Sequence, residues 1–444
     1  MQKRRSSYFV YVVATLVLCL FSNQAVPQSK EKPKLKDFGS SLKRLKWDPA
    51  QNRGVETRRK PSASQNSNGE DVVRIETSLV VSDVIVLDRH GRSVPGLISS
   101  DFIVTEDGRP QPVAMFSLGD NAAVSRSIVL IIDYSCSQLH FIKASIEAAK
   151  SLVDKLAPGD RMAIVTDDIE LLADYTDNKK KLKGKLDDLI MRTGLVRDIF
   201  TERRPVPFGR GFQYSALMAV LKEAFDDEDV RPIIIFQTEG VEAHILRNPI
   251  ALSPIPPGLP ADLNAELQDY VKRFQKYQLR NPRDFSLDDV FKAAETSRAT
   301  IYTVVPGFRL VGLPAEEQLA QTRANLERAI STSSWLSARN RERLRRVPNE
   351  ALKWEAADRM KLQSALAVLS TITGGWIEFF DEPSQADEIY SRIFSDINRR
   401  YIVGYYPTNK EHDGKRRKIS LAVRDHPEYV VIGRKAYYAP GPVN

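Results

Sequence analysis

Cysteine is scarce in this chain, with two residues among 444, Cys19 and Cys136. Cys19 falls inside an apolar leader, so a chain without that leader would keep Cys136 alone and could close no internal disulfide. That weighs against a disulfide-stapled extracellular module but does not contradict export. Cys136 is expected to be a small gap-filling residue. Histidine is scarce too: His90, His140, His244, His412 and His426 are scattered, without the spacing of a zinc site. There is no Gly-x-Ser-x-Gly elbow and no phosphate-binding Gly-Lys-Ser/Thr loop. His140 lies close after Ser137, but near-neighbour placement is awkward for a hydrolase and no oxyanion hole is evident. A non-enzyme is expected.

The formal net charge of +8 points first toward nucleic acid, and its location removes that reading. Lys3, Arg4 and Arg5 sit in the leader, and residues 28–64 hold eleven Lys/Arg against four Asp/Glu. The remainder is close to −2, so the folded part is not basic. A charged tail of this kind is usually solvated, and no nucleic-acid partner is expected. Lys3-Arg4-Arg5 precede an apolar stretch from Tyr8 to Phe21, which reads as a secretory signal. The stretch is too short to span a bilayer with ease, and Ala25 offers a small residue for cleavage. The expectation is an exported chain, periplasmic or extracellular, touching a membrane only if the leader is retained.

Texture divides the rest. Residues 1–27 form the signal peptide and 28–70 a basic linker without apolar periodicity. Short β-like runs at 72–75, 79–87, 102–105 and 113–117, separated by turn residues, define a β unit over 71–120. From 125 to 400 strand-like and helix-like segments alternate, which predicts a doubly wound, mostly parallel α/β sheet with helices on both faces. Its strands are expected at 128–133, 161–165, 169–173, 232–236, 300–305 and 374–380, its helices at 139–156, 179–191, 214–225, 287–295, 360–371 and 385–399. Two stretches, near 247–281 and 313–352, break this rhythm and read as helical insertions on the rim. β texture returns over 401–440, and the simplest arrangement packs it with the N-terminal unit into one sandwich.

The chemistry concentrates at Asp133-Tyr134-Ser135-Cys136-Ser137, which follows the apolar run Ile128-Val129-Leu130-Ile131-Ile132. Such a run reads as a buried parallel strand, and a carboxylate with two hydroxyls at its end sits where open α/β sheets place ligands. Hard oxygen donors of this kind suit Mg²⁺ or Mn²⁺. The competing reading is structural: Asp133 bonds loop amides or caps the next helix, and Ser135 and Ser137 satisfy backbone donors.

Together with Leu156-Ala157-Pro158-Gly159-Asp160-Arg161, Asp174-Tyr175-Thr176-Asp177, Thr373-Gly374-Gly375 and Tyr401-Ile402-Val403-Gly404-Tyr405-Tyr406-Pro407, this motif resembles a von Willebrand factor A domain. The flank Asp101-Phe102-Ile103-Val104-Thr105-Glu106-Asp107-Gly108 resembles the A-domain-related family of exported proteins known mainly from acidobacteria. The resemblance implies a Rossmann-like sheet and a protein-binding module. At its metal-ion-dependent adhesion site a divalent cation bridges to a partner's acidic side chain. The residues implied are Asp133, Ser135 and Ser137 from the first loop, Ser215 in place of the family's threonine, and Glu239 in place of its aspartate. The second loop reads Gly209-Arg210-Gly211-Phe212-Gln213-Tyr214-Ser215, with no threonine. Ser215 or Gln213 could supply an oxygen, though neither sits where the pattern puts the hydroxyl. In Thr238-Glu239-Gly240 the extra methylene moves the carboxylate by roughly 1.5 Å. The alternative to an adhesion module is a metal-independent structural or assembly protein of the cell envelope.

Overall fold

The computed structural model describes residues 79–121, 125–135, 138, 141–167, 169–194, 212–225, 231–240, 285–332 and 338–441. It also describes isolated residues between 259 and 268 and the antiparallel pair β1 (Lys46–Asp48) and β2 (Arg53–Val55). The leader, most of the basic segment, the strand expected at 72–75 and nearly all of the insertion at 247–281 lie outside them.

The chain enters a sandwich, crosses an α/β layer structure and returns to the sandwich. Strands β3 (Val80–Leu87), β4 (Phe102–Glu106), β5 (Arg109–Gln111) and β6 (Val113–Leu118) come first. Asp107 and Gly108, both with positive φ, close the β4–β5 hairpin. β5 carries Pro110 at a sheet edge, where a residue without an N–H is tolerated. This short strand lies between the β runs expected at 102–105 and 113–117.

The α/β part follows: β7 (Arg126–Ile132), α1 (Ile142–Asp154), β8 (Arg161–Thr166), β9 (Leu171–Thr176), α2 (Lys179–Gly194), α3 (Gln213–Glu223) and β10 (Arg231–Gln237). Next come α4 (Leu287–Thr296), β11 (Thr300–Pro306), α5 (Ala315–Thr332), α6 (Ala338–Arg345), α7 (Asn349–Ile372), β12 (Ile377–Phe380) and α8 (Ala386–Arg399). The sheet order is β12-β11-β10-β7-β8-β9, parallel throughout except for β9, which runs antiparallel to β8. A tight turn enforces that reversal, with Thr166 N–H on Glu170 O at 2.9 Å and Ile169 at φ 63°.

Every residue of β7 and β10 is buried, because helices cover both sheet faces. Ile128, Leu130 and Ile132 pack with Ile146 and Leu152 of α1 and Ile393 of α8, while Val129 and Ile131 pack with Leu217 of α3 and Leu366 of α7. That division is the two-residue side-chain period of a strand read on opposite faces. Each fully buried Ile or Leu contributes about 1.5–3 kcal/mol by transfer from water. α7 is longer than the helix expected at 360–371. Its first turn takes up residues assigned by sequence to the insertion, and Leu352 is buried there.

Strands β13 (Tyr401–Tyr405), β14 (Arg416–Val423), β15 (Val430–Ile432) and β16 (Ala436–Tyr438) complete two four-stranded sheets, β15-β3-β13-β6 and β16-β14-β4-β5. Their common core includes Val84, Phe102, Val104, Tyr401, Val403 and Ile419. The sandwich meets the α/β layer at the amino end of its sheet through buried arginines. Arg231, the first residue of β10, donates from Nε to both Asp83 oxygens at 2.9 and 3.0 Å, and from Nη1 to Gly119 O at 2.6 Å. Arg400 reaches Asp396 at 2.6 Å and the carbonyls of Gly374 and Asp83 at 2.6 and 3.2 Å. The carboxyl end of the sheet is the end left for loops.

Candidate functional site

From β7 the chain winds one way through β8 and β9 and the other way through β10, β11 and β12. The reversal lies between β7 and β10, and the carboxyl ends of the two strands flanking such a reversal are where open sheets bind ligands. Ile132 pairs with Gln237, and the Asp133 N–H donates to Gln237 O at 3.1 Å. Register alone therefore brings Asp133 beside the loop 238–240.

Asp133 is buried, and both its carboxylate oxygens are engaged. Oδ1 accepts from Ser135 N at 3.0 Å and Ser135 Oγ at 2.6 Å. Oδ2 accepts from Gln213 Nε2 at 3.0 Å and Thr238 Oγ1 at 3.2 Å. Thr238 Oγ1 in turn accepts from Gly240 N at 2.9 Å. Three loops thus close on one carboxyl group. Burial pushes the Asp133 carboxyl above its ordinary range, and the Ser135, Gln213 and Thr238 hydrogen bonds pull the other way. Asp167 braces the same region: its N–H donates to Ile132 O at 3.1 Å, its Oδ1 accepts from Tyr134 N at 3.3 Å, and its carbonyl accepts from Phe212 N at 3.0 Å.

Of the residues singled out from sequence, Asp133 and Ser135 meet directly. Glu239 follows Thr238 on the neighbouring loop, but its Oε2 lies 3.9 Å from Arg359 Nη1 of α7. Ser215 is buried within α3. It sits two positions past Gln213, about 200° round the helix axis, so the side facing Asp133 belongs to Gln213. Ser137, Cys136 and His140 lie outside the described residues. Sequence reasoning missed Thr238 and Arg359. Thr238 could have been found, since a hydroxyl one residue past the strand end has only the switch point to face. Arg359 could not, because its position depends on how α7 crosses the loop.

Arg359 also donates from Nε to Glu355 Oε1 at 3.3 Å and lies 5.6 Å from the Phe308 ring centroid. Burial raises the Glu355 carboxyl, and the guanidinium opposes that shift. Gly240 must be glycine here: it has φ 74°, and a Cβ would meet Leu366 Cδ1 at 3.0 Å.

A divalent cation of the kind the resemblance implies needs oxygen lone pairs turned inward. The candidate oxygens are engaged as follows. Gln213 directs an amide N–H at Asp133, Ser135 and Thr238 direct hydroxyl protons at it, and Glu239 lies beside a guanidinium. A hydroxyl that donates keeps its lone pairs, and Gln213 Oε1 is buried without a hydrogen-bond partner, so Asp133, Ser135, Gln213 and Thr238 still offer oxygens to an ion. Among the described residues no group of three or more His, Cys, Asp or Glu side chains is placed to hold a metal.

No family model matches this chain, and no curated protein matches it. Solved structures resemble it at low identity. The manganese-loaded TRAP protein of Plasmodium vivax shares 10% identity, with 77% of this chain and 100% of that one covered and a TM-score of 0.27. BatB, a conserved hypothetical protein of Bacteroides thetaiotaomicron, shares 14%, covering 62% and 98%, with a TM-score of 0.28. Three N-terminal domains of the type V pilus tip protein Mfa5 of Porphyromonas gingivalis share 15%, covering 37% of this chain and 26% of that one, with a TM-score of 0.21. Likeness at this level carries no function. The fold class, a six-stranded, mostly parallel α/β sheet with an added β sandwich, stands on this chain's own strand order. Among the described residues no helix is long and apolar enough to cross a membrane.

Proposed function

We propose that this chain is an exported, non-catalytic protein-binding module that presents the carboxyl-edge loops of its α/β sheet to a protein partner. One observation carries the reading: loops from β7, β10 and the start of α3 converge on the single buried carboxylate of Asp133 at the switch point. Bracing of the described ends of these loops lowers the ordering cost of binding. A catalytic reading has less support. Asp133 already accepts four hydrogen bonds, and a general base needs a lone pair directed at the substrate proton.

The exposed carboxyl edge of the sheet also includes Arg309, beyond β11, and Glu382, beyond β12. Reversing both charges should reduce capture of the partner from envelope extract about tenfold or more, the cost of a lost interfacial charge pair. The same assay on Val430→Asp, at the opposite end in the sandwich, should show capture unchanged. The reverse pattern would favour the second reading, a structural or assembly protein of the envelope. That reading draws on the buried arginines that join the sandwich to the sheet. Export rests on Lys3-Arg4-Arg5 and the apolar stretch after them. Intact-mass measurement of the native protein should find a chain beginning near Val26 to Gln28, and retention of Met1 through Phe21 would argue for an anchored form.

A further inference from the structure

The stretch that breaks the α/β rhythm after β11 forms α5, α6 and the start of α7, and it stands at the carboxyl edge of the sheet. Two sets of contacts place it there. Gln363 of α7 accepts from Leu310 N at 2.8 Å and Val311 N at 3.0 Å and donates to Phe308 O at 2.9 Å, just past the end of β11. Arg328 of α5 donates to Asp381 O at 3.2 Å, just past the end of β12. Leu344 of α6 is buried, as are Leu326 and Ile330 of α5, the helix it packs on.

Charge on α6 is mostly of one sign. Residues 338–346 hold five arginines against a single acid, Glu342. Arg339 with Arg343, and Arg341 with Arg345, stand four residues apart on the helix, where like charges destabilise it. Arg346 meets Glu342 at 3.2 Å and Arg345 meets Glu327 at 3.4 Å, but these two arginine side chains are 72% and 50% exposed. Ion pairs so well solvated contribute little and are readily exchanged for another partner. The opposite surplus lies nearby. Residues 378–388 hold five acids, Glu378, Asp381, Glu382, Asp387 and Glu388, and no Lys or Arg. Glu382, Asp387 and Glu388 are exposed. Helix α5 runs between the two patches. Its Glu327 meets Arg345 of α6, while Arg328, about 100° further round the axis, lies 3.6 Å from Glu382.

We propose that a second copy of this chain docks on this edge about a two-fold axis beside α5, with α6 of each copy set against residues 378–388 of the other. A face with adjoining patches of opposite sign is complementary to itself after a half turn, and each dimer then makes the contact twice. An acidic partner of another kind would match α6 and leave residues 378–388 unmatched, whereas a second copy matches both. The inference names the protein partner of the binding reading above, and it rests on that reading.

The test is sedimentation equilibrium of the native protein. We expect a monomer–dimer equilibrium that weakens at least about tenfold between about 50 mM and about 500 mM NaCl, because salt screens exposed charges. Arg339→Glu with Arg346→Glu should weaken it about a hundredfold or more, since like charges then face each other. Asp387→Lys with Glu388→Lys should do the same. All four changes in one chain exchange the signs of both patches, and dimerisation should return to within about tenfold of wild type. If that quadruple variant fails to fold, the two double variants mixed together should pair with each other while neither pairs with itself. A wild-type chain still monomeric at about 100 µM in low salt overturns the inference. So does a dimer indifferent to the reversals, or a folded quadruple variant that stays monomeric. None of these variants alters Arg309 or Glu382. Capture of a different protein that still depends on those two, beside a monomeric wild type, would keep the binding reading and remove the second copy as its partner.

Discussion

A carboxylate withdrawn from water stays charged only where hydrogen bonds replace its hydration, and Asp133 receives four of them. Burial still wins, and the folded-state pKa stands above the ordinary value near 3.8. The sign of the linkage follows. Between that ordinary value and the raised one the folded chain holds a proton that the unfolded chain has lost, so stability falls as pH rises through that window. Asp133→Asn removes the titration and turns an amide N–H toward existing donors. It should destabilise by about 2 kcal/mol at neutral pH. Measured by urea unfolding, the advantage of wild type over Asp133→Asn should grow as pH is lowered from 7 toward 4. A shrinking advantage would mean that hydrogen bonding, not burial, sets the pKa.

Strands and helices here show what a sequence discloses and what it hides. β7 and β10 were legible because a run such as Ile233-Ile234-Ile235-Phe236 fits a strand covered on both faces and little else. The position of Asp133 at the carboxyl edge of the sheet was legible because it follows from the strand it ends. The sandwich was legible as a return of β texture. The antiparallel turn of β9 was not, since it depends on Ile169 adopting a positive φ that a β-branched residue rarely takes. The Arg359 contact with Glu239 was not legible either, because it joins residues far apart through helix packing. Glycines in the Thr373-Gly374-Gly375 segment carry a structural demand that composition only hinted at. Gly375 lies against the start of β11, where a Cβ would stand 1.9 Å from Ile301 O. Gly375→Ala must therefore push β12 away from β11, and should cost about 3 kcal/mol in urea unfolding. Gly184→Ala, with nothing within 4 Å of its Cβ and a position inside α2, should be neutral or stabilising by up to about 1 kcal/mol. Equal effects at both glycines would show that the close approach at β11 is not real.

Among the described residues, buried arginines join the α/β layer to the sandwich, and that fixes how the chain should unfold. Arg231 and Asp83 are both nearly inaccessible, one opening β10 and the other in the middle of β3. Arg434 adds carbonyl contacts from the sandwich to Ala294, Glu295 and Ala299 at 3.3, 3.2 and 2.8 Å, and burial lowers its pKa to about 10. Such groups are held only while both halves are folded, since either half alone would leave a charge buried without its partner. The sheet and the sandwich should accordingly open together, with amides of β7 and β13 exchanging hydrogen at the same free energy in the wild type. Asp83→Ala leaves Arg231 without its carboxylate and should cost about 3–5 kcal/mol. It should also split the transition, so that β3 and β13 amides exchange well before those of β7 and β10. If wild-type sandwich amides already exchange several kcal/mol below the sheet amides, about the size of that buried pair, the arginines do not couple the two halves. The loops at the far end of the sheet would then be carried by the α/β layer alone.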